Sequence, residues 1–421
     1  MQPSPTPPRS TTVAWVLLDW AASSFSTVLI TLIVAYVEKV AFADRPWGLD
    51  AGVIWPWTLA VAMLASAILT PGFSAWADRR RRHKTALIVS VVTGVAALGL
   101  LAAAPPSYRL VVLAGVIVGN VGFDLAAVFT GSLLASITTG RLADRLSAWG
   151  FAAGYAGGAI ALVIATGIVT AHASLGLSAA GGLRLAFAFT GLWWLLFSLP
   201  AAVARFDEPA NGGHAATATG ELLSFARSLW RPDDAAARQL AATLLGSMLV
   251  LGTVQTAIAQ FSSVALEEFS LSPAALVRLV LLVQAVALPG ALAVGWLSET
   301  AGRRVAVVFC LAGWISVLVL AWFIQTVPQL YGLAGLLALV LGGVQSVIRA
   351  TVAEASPEGR AGVTFGLLQI GAKLSGAAAG HWWHCWCNYC WAAGPCGGCA
   401  RPNVRRSRAR LPSNTVRQVC Q

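Results

Sequence analysis

The chain has 421 residues, 57% of them hydrophobic and only 11% charged, with a mean hydropathy of +0.74. A soluble domain carries about 25% charged residues, so this composition, sustained along the chain, excludes a globular enzyme, a disordered protein and a disulfide scaffold, and requires lipid. The net charge is +11, from 28 Lys and Arg against 17 Asp and Glu. Here the placement of the cations matters more than their sum, because basic loops set membrane orientation, and no nucleic-acid partner is expected.

A helix needs roughly 20 apolar residues to cross the hydrocarbon core. Such stretches lie at 13–37, 53–77, 85–104, 109–137, 150–170, 183–204, 239–263, 274–297, 304–325, 329–352 and 361–380. They predict an all-α polytopic membrane protein with eleven spans. Arg9 precedes the first run as in a signal peptide, but Asp19 interrupts it and many spans follow, so it is read as a span. With the N-terminus in the cytoplasm, the inside connections carry fifteen cations: Arg9, Arg79 to Arg82, Lys84, Arg141, Arg145, Arg205, Arg227, Arg231, Arg238, Arg303, Arg304 and Arg360. The other side carries five, Lys39, Arg45, Arg109, Arg184 and Arg278, and the positive-inside rule favours that orientation.

Residues 205–238 are polar and rich in Gly, Ala and Thr. They divide the chain into a six-helix bundle over 1–204, a cytoplasmic linker, and a second, incomplete bundle over 239–380. Within the linker, 221–230 reads equally well as a surface helix or as solvated chain.

An internal repeat crosses the linker. The loop after the second span has Ser74, Asp78, Arg79 and the basic run to Lys84; the loop after the eighth has Gly295, Glu299, Gly302, Arg303 and Arg304. In both, a small residue stands four before an acid and cations follow it, and the acids are 221 residues apart. Val118-Gly119-Asn120-Val121 and Leu341-Gly342-Gly343-Val344 match at nearly the same offset. Such a loop has the chemistry of a latch. The small residue lets helices approach, and the acid can meet a helix N-terminus or an Arg. The cations can reach acids or lipid phosphates. The alternative is that the basic run only determines topology.

Gly295-x-x-x-Glu299-x-x-Gly302-Arg303-Arg304, the central linker and the span count resemble the major facilitator superfamily. Leu18-Asp19-Trp20-Ala21-Ala22-Ser23-Ser24-Phe25, Gly119-Asn120-Val121-Gly122-Phe123-Asp124, residues 191–200 (GLWWLLFSLP) and Gly342-Gly343-Val344-Gln345-Ser346 resemble one branch of it. That branch is the autophagy-related vacuolar effluxer family with its bacterial relatives. The resemblance implies a secondary transporter, with amino-acid efflux attributed to the fungal members. The chain departs at Ser74 and Arg81, where the loop pattern usually has Gly, and in lacking a recognisable twelfth span.

An ionisable residue in mid-membrane costs on the order of 2.5–3.5 kcal/mol on insertion scales, so it faces a cavity or a partner. Asp19 in the first span, Asp124 in the fourth, Arg349 in the tenth and Lys373 in the eleventh are such residues. In families this chain resembles, the first, fourth, seventh and tenth helices line the cavity. The expectation is that Asp19 and Asp124 bind a substrate amine or a coupling proton, while Arg349 binds a carboxylate or neutralises an acid. An acid in low dielectric holds its proton more tightly, as a proton-coupled carrier requires. The alternative is a static ion pair. Asn120, Gln255, Gln284, Gln345 and Ser346 can recognise substrate or equally bond neighbouring helices. Trp20 and Phe123 adjoin the acids, and Gly150, Gly154 and Gly158 form a close-packing stripe on the fifth span.

After Gly380 the composition changes to HWWHCWCNYCWAAGPCGGCA and an Arg-rich end, which hold six of the seven Cys, six Arg and no acid. Its spacing is loose for a zinc site, and neither a metal nor a disulfide cluster is expected. Read from the third base of each codon, residues 381–392 give Leu-Val-Ala-Leu-Leu-Val-(Gln or stop)-Leu-Leu-Leu-Gly, which continues an apolar span. Residues 381–421 are therefore expected to be out of frame, in place of a twelfth span.

No His pairs with a Ser or Cys nucleophile and no phosphate-binding loop occurs, so an enzyme is not expected, nor a cofactor. The expectation is a monomeric carrier, held in the lipid bilayer, that moves a small-molecule substrate by alternating access, with H+ as coupling ion. Its place is a bacterial cytoplasmic membrane, or a vacuolar one if the source is fungal. The rival class is a transporter fold acting as sensor, scaffold or non-transporting remnant.

Overall fold

A computed structural model describes residues 7–49, 51–206, 218–230, 234–267, 269 and 271–376. Among these residues there is no strand. Hydrocarbon offers no water to bare N–H and C=O groups, so a spanning segment must satisfy its own backbone as a helix. Ten helices are long and apolar enough to cross a membrane. The first six spans are Arg9–Ala41, Ala51–Arg80, His83–Ala103, Arg109–Ile137, Gly140–Thr170 and Ala179–Val203. The seventh to tenth are Ala235–Glu267, Pro273–Ala301, Arg303–Ala321 and Val327–Ala355. Residues 361–376 are also helical, at the place of the eleventh predicted span. Most helices overrun their apolar stretch, because polar end turns such as 140–149 continue the helix beyond the hydrocarbon.

Local sequence sets several starts and stops. Ser178 and Ser272 accept from the N–H of Gly181 and Ala275 at 3.0 and 3.2 Å, capping the sixth and eighth spans. Thr326 and Gln329 form a capping box at the tenth. Gly302 (φ +93°) reverses the chain between the eighth and ninth spans. Arg81 (φ +51°) does the same between the second and third, in a left-handed conformation that favours glycine. The first span is not uniformly α: Leu29–Ile33 and Val37–Ala41 are π-helical.

The first and tenth spans bury 61% and 67% of their apolar windows, against 22% for the second and ninth, which puts the former inside and the latter against lipid. The first span packs between the fifth and sixth, and the fifth also packs on the eighth and tenth. Helices from before and after the linker therefore share one interior. In the linker, Ala218–Trp230 is helical and packs beside the second span. Its Phe225 is buried, with the Arg360 guanidinium 5.5 Å from the ring. Residues 381–421, and with them any twelfth span, lie outside the described residues. The turns after the second, fourth, eighth and tenth spans gather at one end, called the basic end below.

Candidate transport path and its closure

Arg349, on the tenth span, is held on every side. Its Nη1 lies 2.7 Å from Asp19 Oδ2 on the first span. Its Nε donates to Ser147 Oγ at 3.0 Å and its Nη2 to the Ser147 carbonyl at 2.9 Å, both on the fifth span. Ser147 Oγ in turn donates to the Ser346 carbonyl at 2.8 Å. The guanidinium faces are covered by Trp15 and Phe151, with centroids 4.6 and 4.2 Å away, a cation–π arrangement suited to a weakly hydrated cation. A Cβ at Gly150 would strike both Asp19 and Arg349, so the pair exists only because the fifth span is bare there.

A second pair lies deeper. Asp124 Oδ2, on the fourth span, is 2.8 Å from Lys373 Nζ on the eleventh and accepts from Ser66 Oγ of the second at 2.5 Å. Asp19 and Asp124 thus belong to separate pairs, and in both the cation comes from a helix after the linker and the acid from one before it.

The basic end is closed by two related contacts. Asp78, at the end of the second span, accepts from the N–H of Gly362 and Val363 at 2.9 and 2.7 Å. Those are free donors of the eleventh span's first turn, where a carboxylate is favoured. His83 Nε2 lies 2.7 Å from the same carboxylate. The approach needs glycine opposite: a Cβ at Gly362 would lie 2.7 Å from Asp78, and one at Gly366 2.9 Å from Ser74 Oγ. On the eighth span, Glu299 takes a two-pronged bond from Arg145 of the fifth, at 2.7 and 2.8 Å. A Cβ at Gly295 would collide with Ala148 one turn along. Arg303 adds bonds to Asp144 at 2.7 Å and Glu354 at 2.6 Å, and Glu354 also accepts from the Gly140 N–H at 3.2 Å.

Other predicted residues behave differently. Asn120 and Gln345 donate to the carbonyls of Val116 and Leu341, four residues back on their own helices, and Ser346 Oγ donates to the Gly343 carbonyl. Arg79 and Arg304 are exposed and form no ion pair among the described residues. Gln284 bonds Thr27 at 2.8 Å, joining the eighth and first spans. Trp20 stacks on Trp193, and Phe123 packs with Phe25 and Trp194. Sequence reasoning overlooked Trp15, Ser66, Asp144, Ser147, Phe151 and Glu354. Only the two acids carried a signal, as charges near basic loops.

The sequence profile described as "Vacuole effluxer Atg22 like" matches residues 135–382. The chain belongs to this family. It is 27% identical over 373 residues to the MFS-type transporter YxiO of Bacillus subtilis (strain 168), covering 86% of this chain and 85% of that protein. It is 26% identical over 269 residues to Autophagy-related protein 22 of Yarrowia lipolytica, covering 56% of this chain and 44% of that protein. The fold matches that of the human organic anion transporter MFSD10 with a TM-score of 0.68 at 16% identity, over 89% of this chain and 92% of the other. The architecture is that of the major facilitator superfamily, with its two helical bundles, and the chain is an integral membrane transporter.

Proposed function

We propose that this family member is a secondary transporter that moves a small solute by alternating access, driven by protons. The observation carrying this reading is the pair of mid-membrane ion pairs, Asp19–Arg349 and Asp124–Lys373, each joining a helix before the linker to one after it. A static helix contact is made more cheaply by apolar side chains. A proton or a charged solute group that neutralises one member of a pair releases the helices it joins. The family resemblance favours amino acids as solute and efflux as direction. The positive-inside distribution favours a cytoplasmic basic end, so that Asp78, Glu299 and Arg303 form the inner latch of an inward-closed state.

One observation favours a narrower reading for the first pair. All three Arg349 nitrogens and both its faces are occupied, so Asp19–Arg349 serves as a clamp and Asp124–Lys373 as the working pair. The test uses proteoliposomes loaded with labelled amino acids, with and without a pH gradient. Asp124→Asn is expected to abolish gradient-driven flux. Asp19→Asn is expected to lower thermal stability, since breaking a buried pair costs roughly 3–5 kcal/mol. Unchanged flux and coupling in both variants would overturn the proposal.

A further inference from the structure

The second span buries one ridge at four-residue spacing: Ser66, Thr70, Ser74 and Asp78, none more than 2% exposed. Rows of this kind pack helices, and apolar small residues do it without stranding a hydroxyl. At the corresponding positions of the eighth span, 221 residues on, stand Ala287, Ala291 and Gly295, followed by Glu299. Each ridge runs through three residues without a long side chain to an acid, and only the first carries hydroxyls.

Those hydroxyls are not all spent on packing. Ser74 Oγ is fully buried, has no hydrogen-bond partner among the described residues, and faces the backbone of Gly366. An unbonded hydroxyl is costly in a low-dielectric interior. A carboxylate stands at each end of the ridge. At the inner end Ser66 Oγ donates to Asp124, whose charged partner is Lys373 of the eleventh span. At the basic end Asp78 meets His83 of the third span and the first N–H groups of the eleventh, with Arg360 in the turn before it. The twelve steps from Ser66 to Asp78 rise about 18 Å, from mid-membrane to the basic end.

We propose that this ridge is a proton route between water at the basic end and Asp124, open when the eleventh span stands away from the second. The inference deepens the transporter reading above and rests on it. In the closed arrangement the glycine face of the eleventh span seals the route, with Gly362 against Asp78 and Gly366 against Ser74 and Thr70. Four-residue spacing sets successive hydroxyls about 6 Å apart, a gap that one water bridges once the helix moves off. A proton leaves hydronium at the His83–Asp78 mouth and passes by exchange along waters and hydroxyls to the Asp124 carboxylate. Asp124 becomes neutral; Lys373 keeps its proton and loses its counter-ion, and the grip on the eleventh span falls to Asp78. Protonation of the inner acid and movement of the helix that covers its route are thereby one event.

The test follows the carboxyl C=O band of protonated Asp124 by infrared difference spectroscopy after a pH jump on the full chain in lipid nanodiscs. Asp124→Asn identifies the band. Thr70→Val with Ser74→Ala is expected to slow its appearance about a hundredfold, the low end of what one positioned proton-transfer group contributes, with unchanged final amplitude. Thr70→Ser with Ser74→Thr, which keeps the hydroxyls, is expected to retain the wild-type rate. Ser74→Gly reproduces the eighth-span counterpart, packs without crowding, and is expected to slow the band as well. Wild-type rates in the hydroxyl-free variants would overturn the route while leaving Asp124 as the titrating acid. A wild-type spectrum with no band sensitive to Asp124→Asn would overturn the titrating acid itself, and the route with it.

Discussion

At the basic end the second span holds the eleventh through Asp78, a carboxylate only 1% exposed that binds two backbone N–H groups and His83. The eighth span holds the fifth through Glu299, whose partner Arg145 has a side chain 62% exposed. The repeat has kept the small residue and the acid and changed what the acid binds. A dry contact to fixed backbone donors is short-ranged and indifferent to salt. A wet guanidinium fork is weak singly and screened, and Arg303, with Asp144 and Glu354, extends it into a network. One closure relies on burial and the other on number.

The largest effect expected from this difference comes from deleting the acids. Asp78→Ala leaves buried donors unbonded, at a cost on the order of 2–4 kcal/mol to the closed arrangement, whereas Glu299→Ala should cost below about 1 kcal/mol. Spin-label distances between the second and eleventh spans, and between the fifth and eighth, measure both. Equal opening in the two variants would remove the distinction.

A smaller effect concerns space. Gly366→Ala crowds Ser74 Oγ and is expected to destabilise the protein by about 1–3 kcal/mol. Adding Ser74→Gly should restore most of the loss. The same Ser74→Gly change combined with Gly295→Ala, which crowds Ala148 instead, should restore nothing. Thermal denaturation of the three single and two double variants gives the coupling.

The smallest effect sits in the turns. Arg81→Gly relieves a left-handed residue (φ +51°) and Gly302→Ala creates one at φ +93°. Shifts of about 1 kcal/mol, upward and downward respectively, are expected, read as opposite changes in Tm.

Much of this molecule is legible in one dimension. Long apolar runs leave a chain in lipid no choice but helix, so the spans lie within about a turn or two of where hydropathy places them, the fifth start excepted. The acids at 78 and 299 stand out through their repeated spacing. Their partners do not, because a backbone N–H at Gly362 leaves no mark in a sequence, and Arg145 is one cation among many in basic loops. Polarity is also an ambiguous sign within a span: Asn120 and Gln345 satisfy themselves on their own helices, as side chains near a preceding carbonyl can. The hydroxyls at 66, 70 and 74 barely disturb hydropathy, so the ridge becomes visible only when the eleventh span is seen lying on it. Ser147 and Phe151 are ordinary residues until Arg349 arrives from the tenth span, some 200 positions away, and Trp15 meets it across a still longer stretch of chain.

The two π-helical stretches of the first span lie beyond Asp19, on the side away from the basic end. Each π turn stores one more residue than an α turn does. If one such turn tightens to α, the helix beyond it rotates by about 100° and lengthens by about 1.5 Å. The first span thus contains slack on one side of a fixed point. The half nearer the basic end is anchored by Asp19 and by Trp15, whose Nε1 donates to the Thr130 carbonyl at 2.9 Å. The other half is fully buried at Ile33, Tyr36 and Val37, with Tyr36 against Phe187, so a change of pitch there is passed to the helices packed on it while the anchor holds.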